Sequence, residues 1–79
     1  MTESEAYAFL PFLASRLLER AREAVDESNQ DPTDSFQAGR RMAYYEVMDI
    51  LKTEMEVREI DLRSCGLDVD LDSLFFQSL

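Results

Sequence analysis

Two runs of apolar residues at helical spacing, separated by a wholly polar stretch, leave this chain few folds to adopt. Leu10, Leu13, Ala14, Leu17, Leu18, Ala21, Ala24 and Val25 recur at intervals of one, three and four, and Phe36, Ala43, Val47, Ile50 and Leu51 do so after the gap. Side chains at such intervals share one side of an α-helix, so each run predicts a helix with one face to bury. No hydrophobic residue occurs from Asp26 to Ser35, and a short polar connection makes neighbouring helices antiparallel. The expected fold is all-α, an antiparallel helical hairpin of two long helices in one domain over 1–79.

Local signals set the expected boundaries. Thr2 and Glu5 have the spacing of a capping box, which predicts a first helix over about 3–28 with its acids at the positive end. Pro11 lies inside it and predicts a kink, since proline removes one backbone hydrogen bond and crowds the preceding turn. Asp31-Pro32-Thr33-Asp34 offers an N-cap carboxylate followed by proline at the first helical position, predicting a loop over 29–31 and a second helix over about 32–59. Beyond it, Asp61 to Gly66 reads as one helical turn with an acidic cap and a glycine stop. Leu67, Val69 and Leu71 then alternate with Asp68, Asp70 and Asp72 in the manner of an extended stretch. A last turn over 73–79 presents Leu74, Phe75 and Phe76. This C-terminal segment, 60–79, is too apolar to be free and is expected to dock on the hairpin.

The second helix carries a further strip, Tyr44, Met48, Leu51 and Met55, beside the first. At about 100° per residue the two strips span roughly 160°, more than one partner helix covers. The C-terminal segment and a second copy of the chain are the other material at hand, so a homodimer closing into a four-helix bundle is expected, with Tyr44, Tyr45, Met48 and Met55 as interface candidates. Chain length points the same way. A domain of 79 residues has a thin stability margin, its one cysteine, Cys65, excludes an internal disulfide, and the lack of histidine excludes the usual nitrogen and sulfur metal cages.

Seventeen acidic against eight basic residues give a formal charge of -9. Such a polyanion is repelled by nucleic-acid phosphates and by anionic lipid, so neither direct nucleic-acid binding nor membrane binding is expected, and the attraction is toward a basic protein partner. No apolar run approaches the roughly 20 residues of a membrane span, and the start Met-Thr-Glu-Ser-Glu is acidic, which predicts a cytoplasmic protein.

The residues that could carry chemistry lack their companions. Asp68, Asp70 and Asp72 match the first, third and fifth positions of a calcium loop, but Ser73 stands where its glycine and Leu79 where its bidentate glutamate belong. Arg40 and Arg41 beside Tyr44 and Tyr45 could stack on a base or hold a phosphate. Pairing to Asp31, Asp34 or acids of the first helix fits the net charge better. Cys65 has no imidazole to activate it, no glycine-rich phosphate loop exists, and Glu46, Asp49, Glu54 and Glu56 fall mostly on a solvated side. Neither an enzyme nor a cofactor is expected.

The stretch from Phe36 through Gly39, Arg40, Ala43, Tyr44, Tyr45, Glu46 and Val47 to Ile50, followed by Ile60-Asp61-Leu62 and Gly66-Leu67, resembles a group of short uncharacterised bacterial helical-hairpin proteins. The resemblance covers about half of the chain and implies the hairpin, with no activity attached. Asp70-Leu71-Asp72-Ser73-Leu74-Phe75 is also similar to the leucine-phenylalanine peptides with which bacterial proteins dock on the replication sliding clamp, without their leading glutamine. The function expected is a small acidic interaction module that self-associates and does no chemistry. The alternative is an acidic nucleic-acid mimic from a phage or mobile element, of anti-restriction or anti-CRISPR type.

Overall fold

The computed structural model describes residues 2–76. Helix α1 spans Glu3–Gln30, α2 spans Ser35–Val57, a 3-10 turn covers Leu62–Cys65, and a short α3 covers Leu71–Phe76. The expected hairpin is present, with α1 and α2 packed on each other and no strand among the described residues. The expected last turn falls at Leu71–Phe76, and its remainder, 77–79, lies outside the described residues.

Each boundary has a chemical cause. The Thr2 hydroxyl accepts from the Glu5 amide at 3.2 Å and caps α1, which then runs through Pro11 without a break. At the second helix the first aspartate builds a turn: Asp31 accepts from the Thr33 amide and hydroxyl, and Asp34 is the cap, accepting from the amides of Phe36 and Gln37. The start therefore moves from the expected residue 32 to Ser35. At the far end the Ile60 amide bonds the Met55 carbonyl and the Glu59 amide bonds the Glu56 carbonyl, a Schellman stop that ends α2 at Val57. Its left-handed position is held by Glu59, at φ 58°. The same pattern recurs at Gly66, φ 70°, where the amides of Leu67 and Gly66 bond the carbonyls of Leu62 and Arg63.

The core draws on the whole chain. Ala14, Ala21, Ala24 and Val25 come from α1, Met48 and Met55 from α2, and Cys65, Leu67, Leu71 and Phe75 from the C-terminal segment. The alanines of α1 let the other elements approach closely, and the large side chains of Met48, Leu67 and Phe75 fill the space in front of them. Ser28 continues the buried side of α1 one turn beyond the apolar run. The 3-10 turn packs chiefly on α1 and α3 chiefly on α2, so the segment after α2 covers one side of the hairpin.

This arrangement turns α2 by roughly a quarter of a revolution from its expected orientation. Phe36, Val47 and Ile50, expected in the core, are exposed, as is Ala43, whereas the second strip faces inward with Met48 and Met55 buried and Tyr44 and Leu51 half-buried. The docked segment is the reason. The Met48 side of α2 touches both α1 and the segment, and so removes apolar surface from water against two elements at once. Leu13 of α1, also expected inside, is exposed.

The resulting molecule is a thin slab of 45 × 21 × 15 Å. Its accessible surface is 5562 Å², against roughly 4,900 Å² for a compact monomer of this mass.

Candidate functional site

The four expected interface residues divide between core and edge. Met48 is fully buried at 0 % exposure and Met55 at 2 %, so neither is free to meet another chain. Tyr45 packs its ring against Phe75 and Phe76, with centroids 5.5 and 4.8 Å away, and its hydroxyl donates to Asp72. Tyr44 is half-buried under Arg40, whose guanidinium carbon stands 5.7 Å from the ring centre. Arg40 in turn pairs with Glu27 of α1. Arg40 and Tyr44 thus serve the hairpin, with a helix-one acid as the counter-charge.

What the structure leaves open is the opposite side of the hairpin. Phe36, Ala43, Ile50 and Val57 stand seven residues apart along α2, all exposed, with Phe36 at 71 %, Ile50 at 62 % and Val57 at 73 %. Val47 falls between them at 43 %. A seven-residue repeat keeps these side chains on one side of the helix, with a drift of about 20° per repeat, and forms an exposed apolar seam. On α1, Phe9 and Glu27 are 18 residues apart and share one side by helical phase. Glu27 bonds Arg40, and Phe9 lines a groove with Glu54, so this side of α1 runs alongside the α2 seam. Phe9 and Leu13 add exposed apolar surface there.

At one end the open side deepens into an apolar groove of about 640 Å³ between the start of α1 and the end of α2. Tyr7, Phe9, Leu10, Leu51, Met55 and Ile60 line it, with an Arg58–Glu54 ion pair at the rim.

The acidic side has different chemistry. Asp49, Glu56, Asp70 and Asp72 line a polar cleft around Lys52, whose ammonium donates to the Val69 carbonyl at 2.6 Å. Asp70 caps α3 and is held below the ordinary carboxylate range, first by the Ser73 amide, then by the Ser73 hydroxyl. One carboxylate oxygen thereby accepts from the amides of Asp72 and Ser73 and the other from the Ser73 hydroxyl. Among the described residues no group of three or more His, Cys, Asp or Glu is placed to hold a metal ion. Cys65 is buried.

The sequence signal for the open side was present in the seven-residue spacing of Phe36, Ala43, Ile50 and Val57. The period alone does not separate a buried face from an exposed one, since both repeat with the helical turn. No family model, curated protein or solved structure matches the chain.

Proposed function

We propose that this protein is a small acidic interaction module that self-associates and has no chemistry of its own. The observation carrying the reading is the open side of the hairpin: a file of exposed apolar residues, Phe36, Val47, Ile50 and Val57, on a chain whose net charge is -9. A surface otherwise so charged has no solubility reason to keep such a seam, and contiguous exposed apolar area marks contact sites. No helix is long and apolar enough to cross a membrane. We place the module in the cytoplasm, where one unpaired cysteine is at home. Sedimentation equilibrium over micromolar to submillimolar concentration tests the reading: reversible association supports it, and a 9.1 kDa monomer throughout removes it.

One observation favours a second reading, an acidic inhibitor that occupies the nucleic-acid-binding groove of a basic protein. Asp49, Glu56, Asp70 and Asp72 gather around one cleft on the side away from the seam. Binding through that side would weaken steeply between about 0.1 and 1 M salt, as the screening length falls from roughly 10 to 3 Å, whereas association through the apolar seam would hold or tighten.

A further inference from the structure

We infer that a second copy of this chain covers the open side, with its α2 antiparallel to the first and the two-fold axis passing beside Val47. The inference rests on the self-association reading and adds the face, the orientation and the register.

The register follows from the residues of the seam. Centred between Glu46 and Val47, an antiparallel pair sets Phe36 against the second copy's Val57, and Ala43 against its Ile50. Each layer then matches a larger side chain with a smaller one, as two interlocking helices require. Two charged residues interrupt the seam at equivalent places, Arg40 between Phe36 and Ala43 and Glu54 between Ile50 and Val57. A parallel pair would face Glu54 with its own copy, two carboxylates in a closing apolar contact. The antiparallel pair sets Glu54 opposite Gly39, where a Cβ would meet nothing within 4 Å, and beside Arg40. The second copy thus supplies room for Glu54, which pairs with Arg58 of its own chain, and sets its Arg40, paired to Glu27, beside it.

The ends and the area agree. Phe36, 71 % exposed, reaches the second copy's groove, whose α2 wall is formed by Leu51, Met55 and Arg58. Knob and hole lie on one molecule at opposite ends of one helix, which is what an isologous two-fold contact needs. The seam from Phe36 to Val57 is about 31 Å long, and with the adjoining side of α1 at roughly 18 Å in width it offers about 550 Å² per copy. Both copies together give about 1,100 Å², just above the roughly 1,000 Å² that a biological interface must clear.

The test uses bis-maleimide cross-linking of the full chain in a Cys65→Ala background, together with sedimentation of an Ile50→Glu variant. Antiparallel seating predicts that Val47→Cys links to its own copy, that Ala43→Cys and Ile50→Cys each link poorly alone, and that equimolar Ala43→Cys and Ile50→Cys chains link to each other. Ile50→Glu should raise the dimer dissociation constant about 100-fold while leaving the helical circular-dichroism spectrum intact, because Ile50 is exposed within one chain. Ala43→Cys or Ile50→Cys linking to itself as well as Val47→Cys does would overturn the orientation. A dimer that persists in Ile50→Glu would overturn the face and leave self-association standing. A chain that is monomeric throughout would overturn both. Should Cys65→Ala fail to fold, the Ile50→Glu measurement on the unaltered chain decides the face.

Discussion

The hydroxyl of Tyr45, midway along α2, donates to the carboxylate of Asp72 in the first turn of α3 at 2.9 Å. Together with the Lys52 ammonium on the Val69 carbonyl and the Tyr45 ring on Phe75, this contact fastens the C-terminal segment to α2 from its polar edge inward. The Asp72 hydrogen bond is the largest cause holding the Tyr45 phenol above its ordinary pKa of 10.0, followed by burial and the charges of Asp72, Asp49 and Asp70.

The docking of the segment should therefore depend on pH at both extremes. Tyr45 has a raised pKa in the folded chain, so its contribution is complete below about pH 10 and is lost as pH rises through the folded value. Asp70 has a lowered pKa, so its contribution is complete above about pH 4 and is lost as pH falls through the folded value. Thermal melts across pH should show a flat middle with an acid and an alkaline decline. Tyr45→Phe should blunt the alkaline decline, and Asp70→Asn the acid one.

Removing the segment should unfold the protein. Phe75→Ala deletes a side chain only 1 % exposed and is expected to cost about 3–5 kcal/mol, whereas Phe76→Ala, at 45 % exposure, should cost less than half as much. Truncation after Gly66 removes Leu67, Leu71 and Phe75 together and should abolish the cooperative thermal transition. An unchanged melting temperature in the truncated chain would mean that the segment is an exposed docking peptide, and the likeness to clamp-binding peptides would then gain weight.

Met48 and Ile50, two residues apart on α2, should respond oppositely. Met48→Ala opens a cavity at a site of 0 % exposure and should cost about 2–5 kcal/mol in chemical denaturation at any protein concentration. Ile50→Ala, 62 % exposed, should change the stability of the isolated chain by no more than about 0.5 kcal/mol and act only through association.

The two left-handed helix stops offer a matched pair of tests. Glu59→Gly relieves a side chain at φ 58° and should stabilise by about 1 kcal/mol, while Gly66→Ala introduces one at φ 70° and should destabilise by about the same amount. Equal melting temperatures in both variants and the unaltered chain would show that the stops bear no strain.

Much of this fold is written locally. The Thr2 cap, the Asp61 cap of the 3-10 turn and the Gly66 stop each depend on residues within a few positions, and all three stand where their spacing predicts. The orientation of α2 is not local. Its wheel has two adjoining apolar strips, and the choice between them is made by Phe75 and Leu67, more than 15 positions downstream of Met48. The end of α2 was hidden for another reason: Glu59 occupies a left-handed position that usually announces itself by glycine. Met48 and Met55, two of the four expected interface residues, are buried within the chain by that orientation of α2, and Ile50 and Val57 are exposed.

Four of the ten buried apolar residues among those described come from the segment after α2, and this has a bearing on how the protein is made. During synthesis α1 and α2 leave the ribosome first, with Met48 and Met55 bare and the seam beside them equally bare. For that interval the hairpin has sticky surface on both sides, a state open to chaperones, proteases and premature pairing with another nascent chain. Arrival of Leu67, Leu71 and Phe75 seals one side and leaves the other. A chain ending before residue 67 should therefore keep apolar surface bare on both sides, and be more open to proteolysis than the full chain.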